Sequence, residues 1–440
     1  MKSLSLLLVL FSIAALRAED SPQWMGAQRD GVWRETGILQ KFPEGGPVIR
    51  WRVPIGGGYA GPSVANGKVY VTDRVLPDGS TNPADPFKRG VIPGKERVLC
   101  LNAADGKEVW KYEYDCPYTI SYPAGPRTTP VITGGKLYAL GAEGTLLCLD
   151  AEKGSMLWSK DLKKEYNIKT PLWGFSSNLL VDGQKLIAMV GGPGSAVVAF
   201  DKDTGAEIWK ALTAPEIGYS SPVIYEAGGK RQLIIWDGAG IHGLDPETGK
   251  VYWDEAYTTK SSMVIAMPRK LDNYLFVSGF FNGPVMMKLD ADKPAETVLW
   301  RGKSADETKP DKLHCVLSTP FLEDGYIYGV CGYGQLRCLK ADTGEQVWET
   351  FAATGGKAVR WGNAFLIKNG DRFFLPSENG DLNIAKLSPK GYEEISRAHI
   401  IEPTGPAMGR TVVWSLPAFA NKSMYERNDK EIVCVGLDGN

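Results

Sequence analysis

Apolar residues along this chain recur at every second position in short runs, and Gly, Asn and Asp break the runs. A period of two with such turn residues predicts half-buried strands joined by tight hairpins. PVITGGKLYALGAEG at 130–144 and PFLEDGYIYGVCGYG at 320–334 show the pattern. A second hairpin follows each of these, and it is the more regular one. It reads LCLNAADGKEVW ending at Trp110, LCLDAEKGSMLW at Trp158, VAFDKDTGAEIW at Trp209, HGLDPETGKVYW at Trp253, MKLDADKPAETVLW at Trp300 and RCLKADTGEQVW at Trp348. The Asp can close a turn through its side chain, and the Gly supplies the positive φ that the turn requires. Two hairpins per unit at a spacing of 44 to 51 residues predict four-stranded propeller blades.

A seventh unit, FLIKNGDRFFLPSENGDLNIAKLSPKGYEEI at 365–395, carries Ile395 in the Trp column. The last unit supplies three strands between Trp414 and Asp438, and VIRWRVPI at 48–55 supplies the missing outer strand with Trp51 in the same column. The expected fold is therefore all-β: an eight-bladed propeller of four-stranded antiparallel blades, with the N-terminal strand closing the last blade and leaving no long open edge. Seven blades is the other count, if the degenerate unit is not a blade. The expected divisions are an export signal at 1–18, a leader at 19–47 and one propeller domain at 48–440.

Lys2 followed by the apolar run Leu4–Leu16 and then Ala18 reads as a cleavable signal, too short for a stable membrane anchor. A periplasmic or secreted location follows, without a lipid anchor or membrane span. Composition adds little: 43% hydrophobic and 23% charged residues, with 50 Lys and Arg against 51 Asp and Glu, are those of a globular chain without the basic surface that nucleic acid requires. Seven Cys in an exported chain permit disulfides, and the odd count leaves at least one thiol outside any internal pairing. Cys100, Cys148, Ala199, Gly243, Lys288, Cys338, Lys386 and Cys434 align as one column on the third strands. Mostly small residues there fit crowding between blades, and the Trp column fits rings packed between neighbouring sheets.

The unit LDxxTGxxxW, clearest at Asp201–Trp209 and Asp245–Trp253, resembles the repeat of the pyrroloquinoline-quinone (PQQ) propeller family. The resemblance covers residues 48–440, and the segment at 22–46 looks like the leader of an exported, uncharacterised branch. The family implies the propeller fold and two very different occupations. Some members are quinoprotein alcohol and sugar dehydrogenases; another is the non-catalytic assembly factor BamB. This chain lacks the adjacent Cys pair typical of the alcohol dehydrogenases, the C-x-x-C-H of a haem domain and the lipid-acceptor Cys of BamB.

Aligning the inner strands places Tyr59, Arg127, Phe175, Tyr219, Ile265, Leu317, Trp361 and Trp414 around the channel mouth. Its aromatics suit stacking on a planar or sugar ligand, and Arg127 suits a carboxylate; PQQ has both features. Turns on the same face contribute Glu143, Asp237, Asn282, Glu378, Asn379 and Asp429. Glu143, Asp237, Glu378 and Asp429 are the acidic candidates for a calcium site or a general base. Two long connections, at 73–96 and 400–410, are expected to cover the funnel and to bring Arg74, Lys88, Arg89 and Arg410 near it. His242, His314 and His399 fall in different units without zinc-ligand spacing.

Three functions compete. The first is a scaffold, monomeric, binding a small planar or sugar ligand or an envelope protein. The second is a PQQ- and calcium-dependent alcohol or sugar dehydrogenase, which requires Arg127, the aromatics and at least two acidic residues in one cavity. The third is a carbohydrate-active enzyme using Glu143 and Glu378.

Overall fold

The computed structural model describes residues 19–439 except 215 and 305; the expected export signal lies outside the described residues. Eight four-stranded antiparallel sheets form a ring. Blade 1 comprises Ser63–Ala65, Lys68–Val75, Lys95–Asn102 and Glu108–Asp115, and the next six blades repeat that up-and-down order. Blade 8 takes Ala418–Ala420, Ser423–Arg427 and Glu431–Gly436 from the end of the chain and Ile49–Pro54 from its beginning. The closing pair is antiparallel, with Trp51 opposite Cys434. Among the described residues no helix is long and apolar enough to cross a membrane.

The repeat has a concrete physical basis. Across one blade, Tyr70, Cys100 and Trp110 lie in register on strands two, three and four. Tyr138–Cys148–Trp158 and Tyr328–Cys338–Trp348 repeat that row. Most of the column Trp residues then tie their blade to the next, whereas Trp253 donates to Gln232 Oε1 within its own blade. The Trp110 indole donates to the Ala151 carbonyl at 3.2 Å, Trp158 to Lys202 at 3.2 Å and Trp300 to Ala341 at 2.9 Å. The turn glycine of the following blade lies against that ring. Gly154 has φ +70°, and a Cβ there would fall 2.5 Å from Trp110. Glycine is therefore required twice over, for its backbone angle and for the indole above it.

The column differs from expectation in two blades. Met286, not Lys288, faces Trp300: the turn after Leu289 has the ordinary length, with Leu289 opposite Glu296, but the fourth strand runs two residues further before its Trp. In blade 7, Ile384 faces Ser396, so neither Lys386 nor Ile395 occupies the expected position. Blade 8 has no turn between strands three and four, since separate ends of the chain form them. A Trp in blade 7 would have no turn to reach. The leader fills in: the Phe42 amide donates to Ser396 Oγ at 3.0 Å.

Turns between strands one and two, and between three and four, share one face of the ring, here the turn face. Turns between two and three share the opposite, mouth face with the crossings between blades. The leader runs across the turn face. Ser21 bridges Val64, Val32 bridges Lys368 and Ile38 bridges Asp438. Arg29 is buried and donates to the carbonyls of Leu179 at 2.7 Å and Pro222 at 3.0 Å, joining blades 3 and 4. Inside the ring, small polar residues link successive inner strands. Thr129 N donates to Asn178 Oδ1, Asn178 N to Ser221 Oγ and Met267 N to Thr319 Oγ1. That is why Ser and Thr recur there.

Candidate functional site

A central cavity of about 1030 Å³, its open mouth included, follows the ring axis. Seven of the eight expected ring residues line it: Tyr59, Arg127, Tyr219, Ile265, Leu317, Trp361 and Trp414. Phe175 does not. It is 1% exposed and packs into the core between blades 2 and 3, its ring edge against Gly144. Gly174, with φ +72°, turns the backbone immediately before it, and Trp173 faces the cavity instead. Trp24 of the leader also lines the cavity, from the turn face.

Tyr122 was not legible as a site residue. It adopts φ +54° on a crossing between blades and enters the mouth between Trp361 and Trp414, ring centroids 6.2 and 6.0 Å away. Trp361 also has a left-handed backbone, φ +60°, fixed by its amide bond to the Gly332 carbonyl at 2.6 Å. A bulky residue there carries roughly 1–2 kcal/mol of strain. The Tyr122 hydroxyl and Trp361 Nε1 are buried without a hydrogen-bond partner. Burial pushes the Tyr122 phenol up to about 12, so it remains a neutral donor.

Both long connections reach the mouth. Phe87 packs edge-on to Tyr122 at 5.0 Å and lies 6.1 Å from Trp361. The Tyr122 amide donates to the Pro86 carbonyl. From the other connection, a hairpin of Gly405–Ala407 and Arg410–Val412 brings Met408 against the same aromatic cluster. Arg74, expected near the mouth, is instead buried as an anchor for its own loop. Its guanidinium donates to the Pro123, Ile92 and Pro93 carbonyls and stacks 4.0 Å from the Tyr118 ring.

Arg127 is the one Lys or Arg among the described residues lining the cavity, but it holds the mouth loop. It donates to the carbonyls of Gly125, Ser121 and Tyr122 and lies over the Tyr59 ring at 5.1 Å. Those bonds fix the left-handed turn that presents Tyr122.

None of the acidic candidates lines the cavity. Glu143 accepts from Thr119, Lys163 and Thr170. Burial alone would raise its pKa, and these partners outweigh it, so the carboxyl is held below its usual range. Asp237 Oδ1 caps its own turn through the Ala239 and Gly240 amides and faces His242, while Oδ2 has no partner. Glu378 pairs with Arg410 and accepts from the Trp414 indole. Asp429 accepts from the Gly58 amide beside a neighbouring pocket under the 73–96 loop. Among the described residues no three His, Cys, Asp or Glu side chains are placed to hold a metal ion.

These surroundings do not fit PQQ with calcium. A hard cation takes carboxylate and amide oxygens, and the amide oxygen lining this cavity, Asn178 Oδ1, already accepts from Thr129. Three carboxylates on a quinone would meet a single guanidinium whose donors point to backbone carbonyls. The paired-carboxylate arrangement fails on similar grounds, with Glu143 and Glu378 in separate closed networks outside the cavity.

Comparison with known proteins gives a family model described as outer membrane protein assembly factor BamB, matching residues 94–301. The BamB of Salmonella typhimurium is 25% identical over 183 residues, 39% of this chain and 41% of that protein. The quinohemoprotein alcohol dehydrogenase ADH IIB of Pseudomonas putida is 30% identical over 181 residues, 36% of this chain and 24% of that protein. The chain thus spans about two fifths or less of these curated relatives. Among solved structures, the quinohemoprotein alcohol dehydrogenase of Comamonas testosteroni has a TM-score of 0.62 at 13% identity, covering 96% of this chain and 81% of that one. BamB of Moraxella catarrhalis has a TM-score of 0.54 at 16% identity, covering 82% and 100%. These are likenesses of fold.

Proposed function

We propose that this chain, a member of the PQQ-repeat β-propeller family, is a non-catalytic binding scaffold of the cell envelope that holds a small, flat, largely uncharged ligand in its central cavity. One observation carries the reading: aromatic rings and a neutral donor pair line the cavity, while every acidic candidate is engaged elsewhere. Flat rings favour a planar molecule or the apolar face of a sugar. The unpartnered Tyr122 hydroxyl and Trp361 N–H favour oxygen acceptors on that ligand, because a buried donor gains most from a partner it lacks. An envelope setting is supported by the relatives described as outer membrane protein assembly factors and by the expected export signal. A protein partner is the counterpart reading from the same relatives, with the ring surface as the docking face.

The dehydrogenase relatives keep the quinoprotein reading as the alternative. Its requirement for acidic residues in the cavity is where this chain departs from it. Titration of the mature protein with PQQ, with and without calcium, and separately with neutral aryl glycosides, followed by tryptophan fluorescence, decides between them. Saturable quenching by a neutral aryl glycoside, weakened at least tenfold in Trp361→Ala, supports the proposal. Calcium-dependent PQQ binding with dye reduction over an alcohol and sugar panel overturns it.

A further inference from the structure

Seven cysteines are present, and all are buried as free thiols. Four of them cannot pair. Cys100, Cys148, Cys338 and Cys434 each stand in register between an aromatic residue on either side, as Cys434 does between Tyr425 and Trp51. Cys116 is hydrogen-bonded through its amide to the Gly94 carbonyl, in a different blade region from the remaining two. Those two, Cys315 and Cys331, face one another directly across an antiparallel bridge.

Residues directly opposed in an antiparallel pair have Cα atoms about 4.5–5.5 Å apart. A disulfide spans about 4.4–6.8 Å. Both side chains are buried in the same apolar cluster, at 2% and 1% exposure, and Cys331 Sγ accepts from the backbone amide of His314, the residue before Cys315, at 3.3 Å. We propose that Cys315 and Cys331 form a disulfide when the chain folds in an oxidising compartment.

The step is thiol–disulfide exchange with a disulfide oxidant. One thiolate attacks the oxidant, and the second displaces it from the mixed disulfide. The S–S bond forms, two protons leave the thiols, and two electrons reduce the oxidant to two thiols. Exchange requires the thiolate, and in the folded chain burial pushes the Cys315 thiol up to about 12. The bond therefore forms during folding, before the site closes, and resists reduction afterwards.

Its position gives it a consequence. Cys315 precedes Val316 and Leu317, both on the cavity wall. Cys331 precedes Gly332, whose carbonyl fixes the strained Trp361 amide. The bond clips the entrance strand of blade 6 to the turn that positions Trp361. This inference is independent of which ligand the cavity takes.

The test uses the full mature chain, refolded in a glutathione redox buffer and alkylated under denaturing conditions. Leu313–Arg337 is one tryptic peptide and carries both cysteines. The expected result is five alkylated cysteines and a peptide lighter than its reduced form by two hydrogens, with Cys331→Ala restoring alkylation of Cys315. Seven alkylated cysteines, or a bond joining any other pair, overturns the proposal.

Discussion

Arg410 grips Glu378 with two parallel hydrogen bonds, Nε to Oε1 at 2.9 Å and Nη2 to Oε2 at 3.1 Å. Glu378 is 1% exposed, and the indole of Trp414 donates to the same carboxylate at 3.0 Å. The pair joins blade 7 to the hairpin that covers the mouth. Glu378→Gln leaves Arg410 beside a neutral amide and is expected to cost roughly 3–5 kcal/mol. Urea unfolding of the variant checks it. A loss below about 1 kcal/mol, within the range of an exposed pair, would place the bond outside the framework of the site.

Arg29 is the leader's anchor, and burial lowers its pKa to about 10, leaving it charged at neutral pH. Its guanidinium satisfies two buried carbonyls on different blades and lies 5.8 Å from the Trp24 ring at the end of the cavity. Arg29→Met keeps the bulk and removes the donors. The expected cost is roughly 2–4 kcal/mol, with faster hydrogen exchange at the amides leading into the inner strands at Leu180 and Val223 than elsewhere in the ring. Uniform exchange across all blades would contradict an anchoring role.

Gly154→Ala and Gly134→Ala separate backbone strain from steric conflict. Both positions have positive φ, +70° and +56°. Beyond Gly134 there is open space, whereas at Gly154 the new methyl would fall 2.5 Å from the Trp110 ring. The first substitution is expected to cost about 1 kcal/mol, and the second roughly 2–4 kcal/mol because it adds overpacking to strain. Equal shifts in the thermal midpoint would mean that the Gly–Trp contact does not hold blades together.

The ring was legible because each blade repeats the same solution to the same packing problem. Trp110 needs a turn to bond to, Gly154 makes room for it, and the row of Tyr70, Cys100 and Trp110 records the register. Where the local problem changes, so does the pattern. Blade 8 lacks the turn, blade 7 drops the Trp, and alignment by spacing then misplaces Lys386 and Ile395. The site was legible only as far as strand alternation extends. Tyr59, Arg127, Tyr219, Trp361 and Trp414 follow from inner-strand alignment. Phe175, Trp173 and Tyr122 depend on left-handed turns between blades, which no period encodes. The acidic residues were identified by position, but whether a carboxylate is open or engaged depends on partners distant in sequence, such as Arg410 for Glu378.

Glu426 supplies a pH signature. It is 3% exposed and accepts from Ser415 Oγ and the Arg427 amide, both at 3.3 Å. Burial raises its carboxyl to about 8, well above the ordinary value, against the opposing pull of those two bonds and the Arg427 charge. A raised folded value means that the folded chain binds a proton which the unfolded chain releases near 4.5. The associated stability is complete below about pH 4.5 and declines as pH rises to about 8, beyond which the group adds no further change. At about 1.4 kcal/mol per unit, the loss is on the order of 5 kcal/mol. Glu426→Gln replaces the protonated acid with a neutral amide of the same shape, so its stability should lack this decline. The difference in unfolding free energy between variant and wild type, measured by urea denaturation from pH 5 to pH 9, should grow in the variant's favour and level off near pH 8. A difference that stays flat over that range would show that the buried carboxyl is ionised throughout, and that Arg427 dominates its environment.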